Sequence, residues 1–302
     1  MKITIGTRKS KLALVQTHWV RDTLLAAHPG LEIAIEHITT KGDAILDRPL
    51  SAIGDKGLFV TEIEDALRAG RVDLAVHSAK DLPSVLPDDM TIAAYPRRAD
   101  PRDVLVAGAG KTLADLPPGA RVGTSSPRRA CQLRHLRPDL ELLDIRGNVD
   151  TRLRKLDEGQ YEAIVLAAAG LERLDLLDRV TQFFDPAQML PAVSQGTLGV
   201  EIRLGDTRTA ELLQVLDDPA ARITATAEKA FLAHIGGGCQ VAVGAFGQIQ
   251  GATLTISGMI GALDGRQVRD ELSGPATAPT ALGAALAAEL LAQGGAALLK
   301  EH

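Results

Sequence analysis

The stretch Val72-Asp73-Leu74-Ala75-Val76-His77-Ser78-Ala79-Lys80-Asp81 passes from a compact apolar strand, Val72 to Val76, straight into a polar segment ending in a cation and an acid. Short apolar runs bounded by polar residues read as buried strands. In open parallel sheets the carboxyl ends of such strands carry the ligand, because the following helix presents its amino terminus there. The same grammar recurs along the chain. Ile3 to Gly6 leads into Thr7-Arg8-Lys9-Ser10, with Ser10 as N-cap of a helix in which Leu12, Val15 and Trp19 share a face. Arg121 to Gly123 feeds Thr124-Ser125-Ser126-Pro127-Arg128-Arg129, where a serine cap and a proline open a helix that stops before Pro138. Leu140 to Ile145 feeds Arg146-Gly147-Asn148, and Ala163 to Ala168 feeds Gly170 to Arg173. Two doubly wound α/β lobes follow from this repetition. Pro96 to Asp103 is one crossing between them, and Leu198 to Arg203, arriving after Pro191 to Gly196, returns the chain to the first lobe.

Beyond residue 217 the pattern changes. Asp218 and Pro219 open a helix that runs to Ile235, with Gly236 placed as a left-handed C-cap. Strand patterns near 241 to 249, 252 to 260 and 266 to 272, then a helix from about Thr280, predict a small α+β unit with a three-stranded antiparallel sheet. Between Ile235 and the first of these strands stands Gly236-Gly237-Gly238-Cys239-Gln240. The cap accounts for one glycine; the other two let the loop bring Cys239 close to a ligand. Cys239 reads either as a small packed residue or as a group on which something sits. Thr40 to Gly57, rich in glycine and charge, has the composition of a mobile cover.

The totals of the 302-residue chain bound the function. Apolar residues make up 45%, enough for two or three cores. No run approaches the roughly 20 apolar residues of a membrane span, and no signal peptide precedes the first strand, so a cytoplasmic protein with no membrane partner is expected. Two cysteines, Cys131 and Cys239, outside any metal-ligand spacing, argue against structural disulfides and a structural metal. Cys131 is expected to pack against a lobe core. A net charge of −5 argues against nucleic-acid binding, so any anion site is local. The strand ends supply one: Arg8, Lys80, Arg128, Arg129, Arg146, Arg152 and Arg173 all fall there or one turn beyond. A single arginine is ordinarily a solvated charge, but the set converges on one cleft suited to carboxylate or phosphate. Asp81 among these cations is either a neutralising partner or a group kept for proton transfer. His77 and Asp81, four apart, would share a face if that turn were helical; with Cys239 they raise a weaker reading, a cysteine hydrolase.

Together these residues resemble the porphobilinogen deaminase (hydroxymethylbilane synthase) family over nearly the whole chain. The resemblance is carried in order by GTRKSKLAL at 6 to 14, KGDAILD at 41 to 47, GDKGLFVTEIE at 54 to 64, VHSAKDLP at 76 to 83, DPRD at 100 to 103, VGTSSPRR at 122 to 129, LDIRGNVDTRL at 143 to 153, LAAAGLERL at 166 to 174 and GGCQV at 237 to 241. It implies two periplasmic-binding-protein-like lobes, residues 1 to 97 with 198 to 217 and residues 98 to 197, plus a third domain at 218 to 302. It further implies a transferase that joins four porphobilinogen units head to tail, releasing ammonia, on a dipyrromethane cofactor attached by a thioether to Cys239. Asp81 is the implied catalytic acid. Lys80, Ser125, Ser126, Arg128, Arg129 and Arg146 are implied cofactor contacts beside Asp81. Arg8, Ser10, Lys56, Phe59, Arg146, Arg152, Arg173 and Gln195 are implied substrate contacts, in a monomer. Ser194 and Pro127 depart from the family's usual glycine and leucine; Pro127 suits a helix start, whereas Ser194 sits at a hinge. The alternative outside enzymology is a two-lobed polyanion-binding module that needs neither Asp81 nor Cys239.

Overall fold

The computed structural model describes residues 1–44, 60–236 and 241–301. Lys56, Phe59 and Cys239, and most of the expected cover at 41 to 57, lie outside them; Lys41–Ala44 forms a single helical turn.

The first lobe runs β1 (Lys2–Thr7), α1 (Lys11–Ala27), β2 (Glu32–His37), α2 (Thr61–Arg68), β3 (Leu74–Ser78) and β4 (Met90–Ala94). The second runs β5 (Asp103–Ala107), β6 (Arg121–Gly123), α3 (Pro127–Leu136), β7 (Glu141–Leu143), α4 (Val149–Asp157), β8 (Ala163–Ala167), α5 (Ala168–Arg173) and β9 (Gln182–Phe183). The chain then returns through β10 (Leu198–Arg203) and α6 (Thr207–Leu213) to α7 (Pro219–Ile235), β11 (Ala242–Gln250), β12 (Thr253–Gly261), β13 (Gln267–Pro275) and α8 (Pro279–Leu290). The first sheet has the order β2-β1-β3-β10-β4 and the second β7-β6-β8-β5-β9. In each, three parallel strands are followed by one that crosses over antiparallel: β10 against β3, and β5 against β8. This is the plan of two doubly wound α/β lobes expected from the sequence. The third sheet, β11-β12-β13, is antiparallel throughout, and Phe231 of α7 with Leu286 and Leu290 of α8 close its core over Leu254, Ile256 and Ile260.

Local signals set the helix ends. Ser10 caps α1, accepting from Ala13 N at 3.3 Å, and Ser126 caps α3 ahead of Pro127. Asp218 caps α7, which ends at Gly236 in the left-handed conformation. Side-chain faces and strand registers depended on partners farther away. α1 turns Gln16, Thr17, Val20 and Leu24 inward, not Leu12, Val15 and Trp19, and Trp19 is 48% exposed. β3 begins at Leu74, two residues later than the apolar run, because its ladder is fixed by β1 at Leu74 and Ala75 and by β10 at Ala75 to Ser78. The Leu140 to Ile145 strand contracts to Glu141–Leu143, the length that β6 can pair. Cys131 packs outside its own lobe's core: its Sγ donates to Arg266 O at 3.6 Å, and a Cβ on Gly261 of β12 would lie 2.3 Å from that sulfur. Burial pushes the Cys131 thiol up to about 11, which leaves it protonated at neutral pH. The expectation of no apolar run long enough to span a membrane is also corrected. Pro279–Leu298 passes by length and composition, with a mean hydropathy of 1.4. It is α8 and its continuation, turned at Gly294 and packed on α7 and the third sheet, as core helices are.

The two crossings touch. Ala99 N donates to Gly196 O at 3.2 Å; Gly196 has φ of 88°, and a Cβ there would meet Ala99 O at 2.6 Å. Ser194, two residues earlier, holds a left-handed φ of 60° without glycine's freedom. One fully buried acid binds this region to the third unit. Glu228 of α7 accepts from Arg98 Nη1 at 2.6 Å, from the Ser194 backbone and from Gly247 N of β11 at 2.8 Å, while Arg98 Nε donates to Gln195 O at 2.8 Å. Removing one partner of a buried pair costs roughly 3–5 kcal/mol. Glu228→Ala should therefore lower unfolding free energy by about that amount in denaturant titration; a loss under about 1 kcal/mol would contradict this role.

Candidate functional site

β3 ends at Ser78, and the next three residues, Ala79–Asp81, form a 3₁₀ turn rather than an α-helix. His77 and Asp81 therefore do not share a helical face. His77 lies within the sheet, its Nε2 3.0 Å from Oε2 of the fully buried Glu201 on β10. That pairing removes the basis for a hydrolase site. The turn itself is fixed to the second crossing by Ala79 N donating to Thr197 O at 2.9 Å. Asp81 stands exposed at its end.

A cavity of about 100 Å³ opens between the lobes. Ser78 and Lys80 line it from the first lobe, Arg129, Arg152 and Arg173 from the second, and Gly196 and Thr197 from the crossing. Lys80 Nζ reaches Gln195 Oε1 at 3.4 Å. Burial pushes the Lys80 ammonium down to about 8; Asp81 opposes that shift and Arg129 adds to it. Burial, then the like charges of Arg129 and Arg146, pushes Arg152 down to about 10. Burial alone accounts for the fall of Arg173 to about 10. Burial disfavours the charged form of each of these cations, a cost that an anion placed among them would offset.

Arg128 and Arg129 are of a different kind. Both are buried, and both are paired with Asp103, the first residue of β5, which is itself fully buried. Arg128 Nη1 donates to Asp103 Oδ2 and to Leu190 O, each at 2.6 Å. Arg129 donates to Asp103 Oδ1 from Nε at 2.9 Å and from Nη2 at 2.7 Å, and from Nη1 to Val165 O at 2.9 Å. Gln195 Nε2 adds a third donor to the same Asp103 oxygen at 3.1 Å. Burial disfavours the Asp103 carboxylate, but the two guanidiniums outweigh it and hold the group far below the usual carboxylate range. Among the strand-end cations expected to converge on one cleft, Arg128 and Arg129 thus form a paired scaffold, and Arg129 also joins Lys80, Arg152 and Arg173 in lining the cavity.

The remaining candidates are placed as follows. Ser125 Oγ donates to Ile145 O at 2.9 Å and accepts from Ile145 N at 3.0 Å, joining the β6 and β7 ends. Ser126 and Ser10 are helix caps. Arg152 Nε donates to Gly147 O at 2.9 Å, which sets the Arg146 loop, and Arg173 Nη2 donates to Gly196 O at 2.7 Å, linking α5 to the crossing. Arg8 is half-buried just before α1. Asp103, Glu201 and Glu228 were not singled out by sequence. Their signal is an acid at the start of, or within, an apolar run or helix face, as in Asp103-Val104-Leu105-Val106-Ala107.

A two-lobed α/β protein that gathers cations from both lobes beside an exposed acid belongs to the class that encloses a polyanionic ligand between its lobes. Within that class the chain belongs to the porphobilinogen deaminase family. The model for "Porphobilinogen deaminase, dipyromethane cofactor binding domain" matches residues 3–211, and that for the C-terminal domain matches residues 222–292. A porphobilinogen deaminase of Roseiflexus castenholzii is 70% identical over 98% of both chains. One of Syntrophobacter fumaroxidans is 49% identical over 99% of this chain and 97% of its own. Among solved structures, the Bordetella pertussis BvgS VFT2 domain aligns with a TM-score of 0.44 and 15% identity, over 71% of this chain and 86% of that one.

Asp103→Ala strands two buried guanidiniums and should cost roughly 3–5 kcal/mol. Because the native carboxyl is depressed, its contribution is complete at neutral pH and is lost as pH falls through about 4 and below. Denaturant midpoints measured from pH 7 to 3 should show this acid slope in the parent chain and a shallower one in the variant.

Proposed function

We propose that the chain is a transferase that deaminates porphobilinogen and joins four units head to tail into hydroxymethylbilane. The observation that carries this reading is the interlobe cavity, which gathers Lys80, Arg152 and Arg173, all depressed chiefly by burial, beside the Asp81 turn. A pyrrole bearing an acetate and a propionate supplies those anions. The donor set also fits the family's dipyrromethane, whose four carboxylates call for several cations in one place. Cys239 would anchor the group, and Lys80, Ser126, Arg129 and Arg146 would hold it. Ser125 and Arg128 support this site through their contacts to Ile145 and Asp103. Once bound, the dipyrromethane supplies the nucleophilic pyrrole carbon on which the chain is built.

The protein's own groups do the rest. Arg152 and Arg173 neutralise the incoming carboxylates, with Arg8, Ser10, Lys56, Phe59 and Gln195 completing the substrate contacts. Gln195, held by Asp103 and Pro101 O, presents its amide oxygen to Lys80 and orients that cation. The Asp81 carboxylate stabilises positive charge on the aminomethyl group as ammonia leaves and takes up the proton released when the new bond forms. The same reading divides the chain at 97, 197 and 217 into three domains, the first discontinuous, and makes it a cytoplasmic monomer.

Intact mass is the first test. The native protein should exceed its sequence mass by one dipyrromethane, and Cys239→Ser should lack it; an active preparation of unmodified mass would refute the anchor. Asp81→Asn, nearly isosteric, should still bind porphobilinogen yet release ammonia at least about 100-fold more slowly. Unchanged turnover in Asp81→Asn would remove Asp81 from the chemistry, whereas recovery of porphobilinogen unaltered from the parent protein would point instead to a polyanion-binding module.

A further inference from the structure

Thr197 stands where the second crossing enters β10 and is 1% exposed. Its backbone is fully occupied: N–H donates to Ser194 O at 3.1 Å, and the carbonyl accepts from Ala79 N at 2.9 Å. Its hydroxyl Oγ1 is buried and has no hydrogen-bond partner among the described residues. A buried hydroxyl without a partner is a standing cost that native proteins rarely leave uncompensated. Thr197 also lines the interlobe cavity, where its polar company includes Lys80, Arg152 and Arg173. Those three are donors only, so none of them can accept the threonine proton. What is missing is an acceptor, and an anionic ligand drawn in by these cations would bring one. Ser194 Oγ, in the same crossing, is likewise without a partner among the described residues but does not line the cavity. The coincidence of an orphaned hydroxyl with the cation-lined wall is therefore a property of Thr197 and not of the crossing in general.

We propose that Thr197 is a substrate-binding residue, its hydroxyl donating to a carboxylate oxygen of the pyrrole unit bound between the lobes. The assignment rests on the deaminase reading above and deepens it. Lys80 and the arginines supply charge, which acts over a distance; the hydroxyl supplies direction, and it sits on a backbone fixed to the turn that carries Asp81 through Ala79. A carboxylate oriented by Thr197 is thereby placed relative to the catalytic acid.

The test compares Thr197→Val, which keeps the shape and removes the hydroxyl, with Thr197→Ser, which keeps the hydroxyl, both as cofactor-loaded enzyme with porphobilinogen. A hydrogen bond to a charged group corresponds to about a tenfold change in affinity or more. KM should rise about tenfold in the valine variant with kcat changed less than about twofold, and the serine variant should stay within about twofold of the parent. The substrate-free valine variant should melt no lower than the parent, because an unpaired polar atom has been removed. A parental KM in Thr197→Val, or an equal rise in both variants, overturns the assignment. Absence of turnover in the parent enzyme would bring down the deaminase reading and this contact with it, whereas normal parental turnover with an unaffected valine variant brings down the contact alone.

Discussion

A single buried carboxylate, Asp103, holds together the side of the second lobe that faces the cleft. It stands at the first position of β5, between two guanidiniums from the first turns of α3 and the amide of Gln195 from the second crossing. Two cations so close together repel one another in a low-dielectric interior; one acid between them converts that repulsion into a fixed geometry. The fixity propagates. Gln195, oriented by Asp103 on one end, receives Lys80 on the other, so the first lobe's cation is positioned by an acid of the second lobe without touching it.

Glu228 does for the third unit what Asp103 does for the lobes. It draws donors from both crossings and from β11 onto one helix, and the next residue, Lys229, donates to Leu82 O at 2.7 Å, just beyond the Asp81 turn. α7 is thus bound at adjacent positions to the second crossing and to the segment that follows Asp81, and it ends at Gly236, three residues before Cys239 in sequence.

The sequence made visible whatever is decided within a few residues. Ser10, Ser126 with Pro127, Asp218 with Pro219, and Gly236 each satisfy or terminate a helix locally, and each was readable as such. The strand-end rule located the site because it concerns chain direction rather than side-chain partners. What escaped was decided at long range. Asp103 meets its arginines 25 and 26 residues away and Gln195 at 92, while Glu201 meets His77 at 124. The inner face of α1 was misread for a related reason: Leu12 sits at the cavity wall and Trp19 in solvent, so two of its large apolar residues do not mark the core side. Polar Gln16 and Thr17 take that side instead, through hydrogen bonds to Ser78 and Thr7.

Read as a string, every strand-end cation looks alike; in the fold they fall into two kinds, and the difference carries the chemistry. Arg128 and Arg129 have an acid inside the protein and are part of the scaffold. Lys80, Arg152 and Arg173 form no salt bridge among the described residues, and burial shifts all three toward their neutral forms. A protein that buries cations without acids is unstable there unless a ligand brings the acids with it. On the proposed reading the acetate and propionate of each pyrrole would do so in pairs, within a cavity where each charge is screened far less than at the surface. An anion there would favour the charged forms that burial disfavours, through carboxylates that take no part in the bond being made.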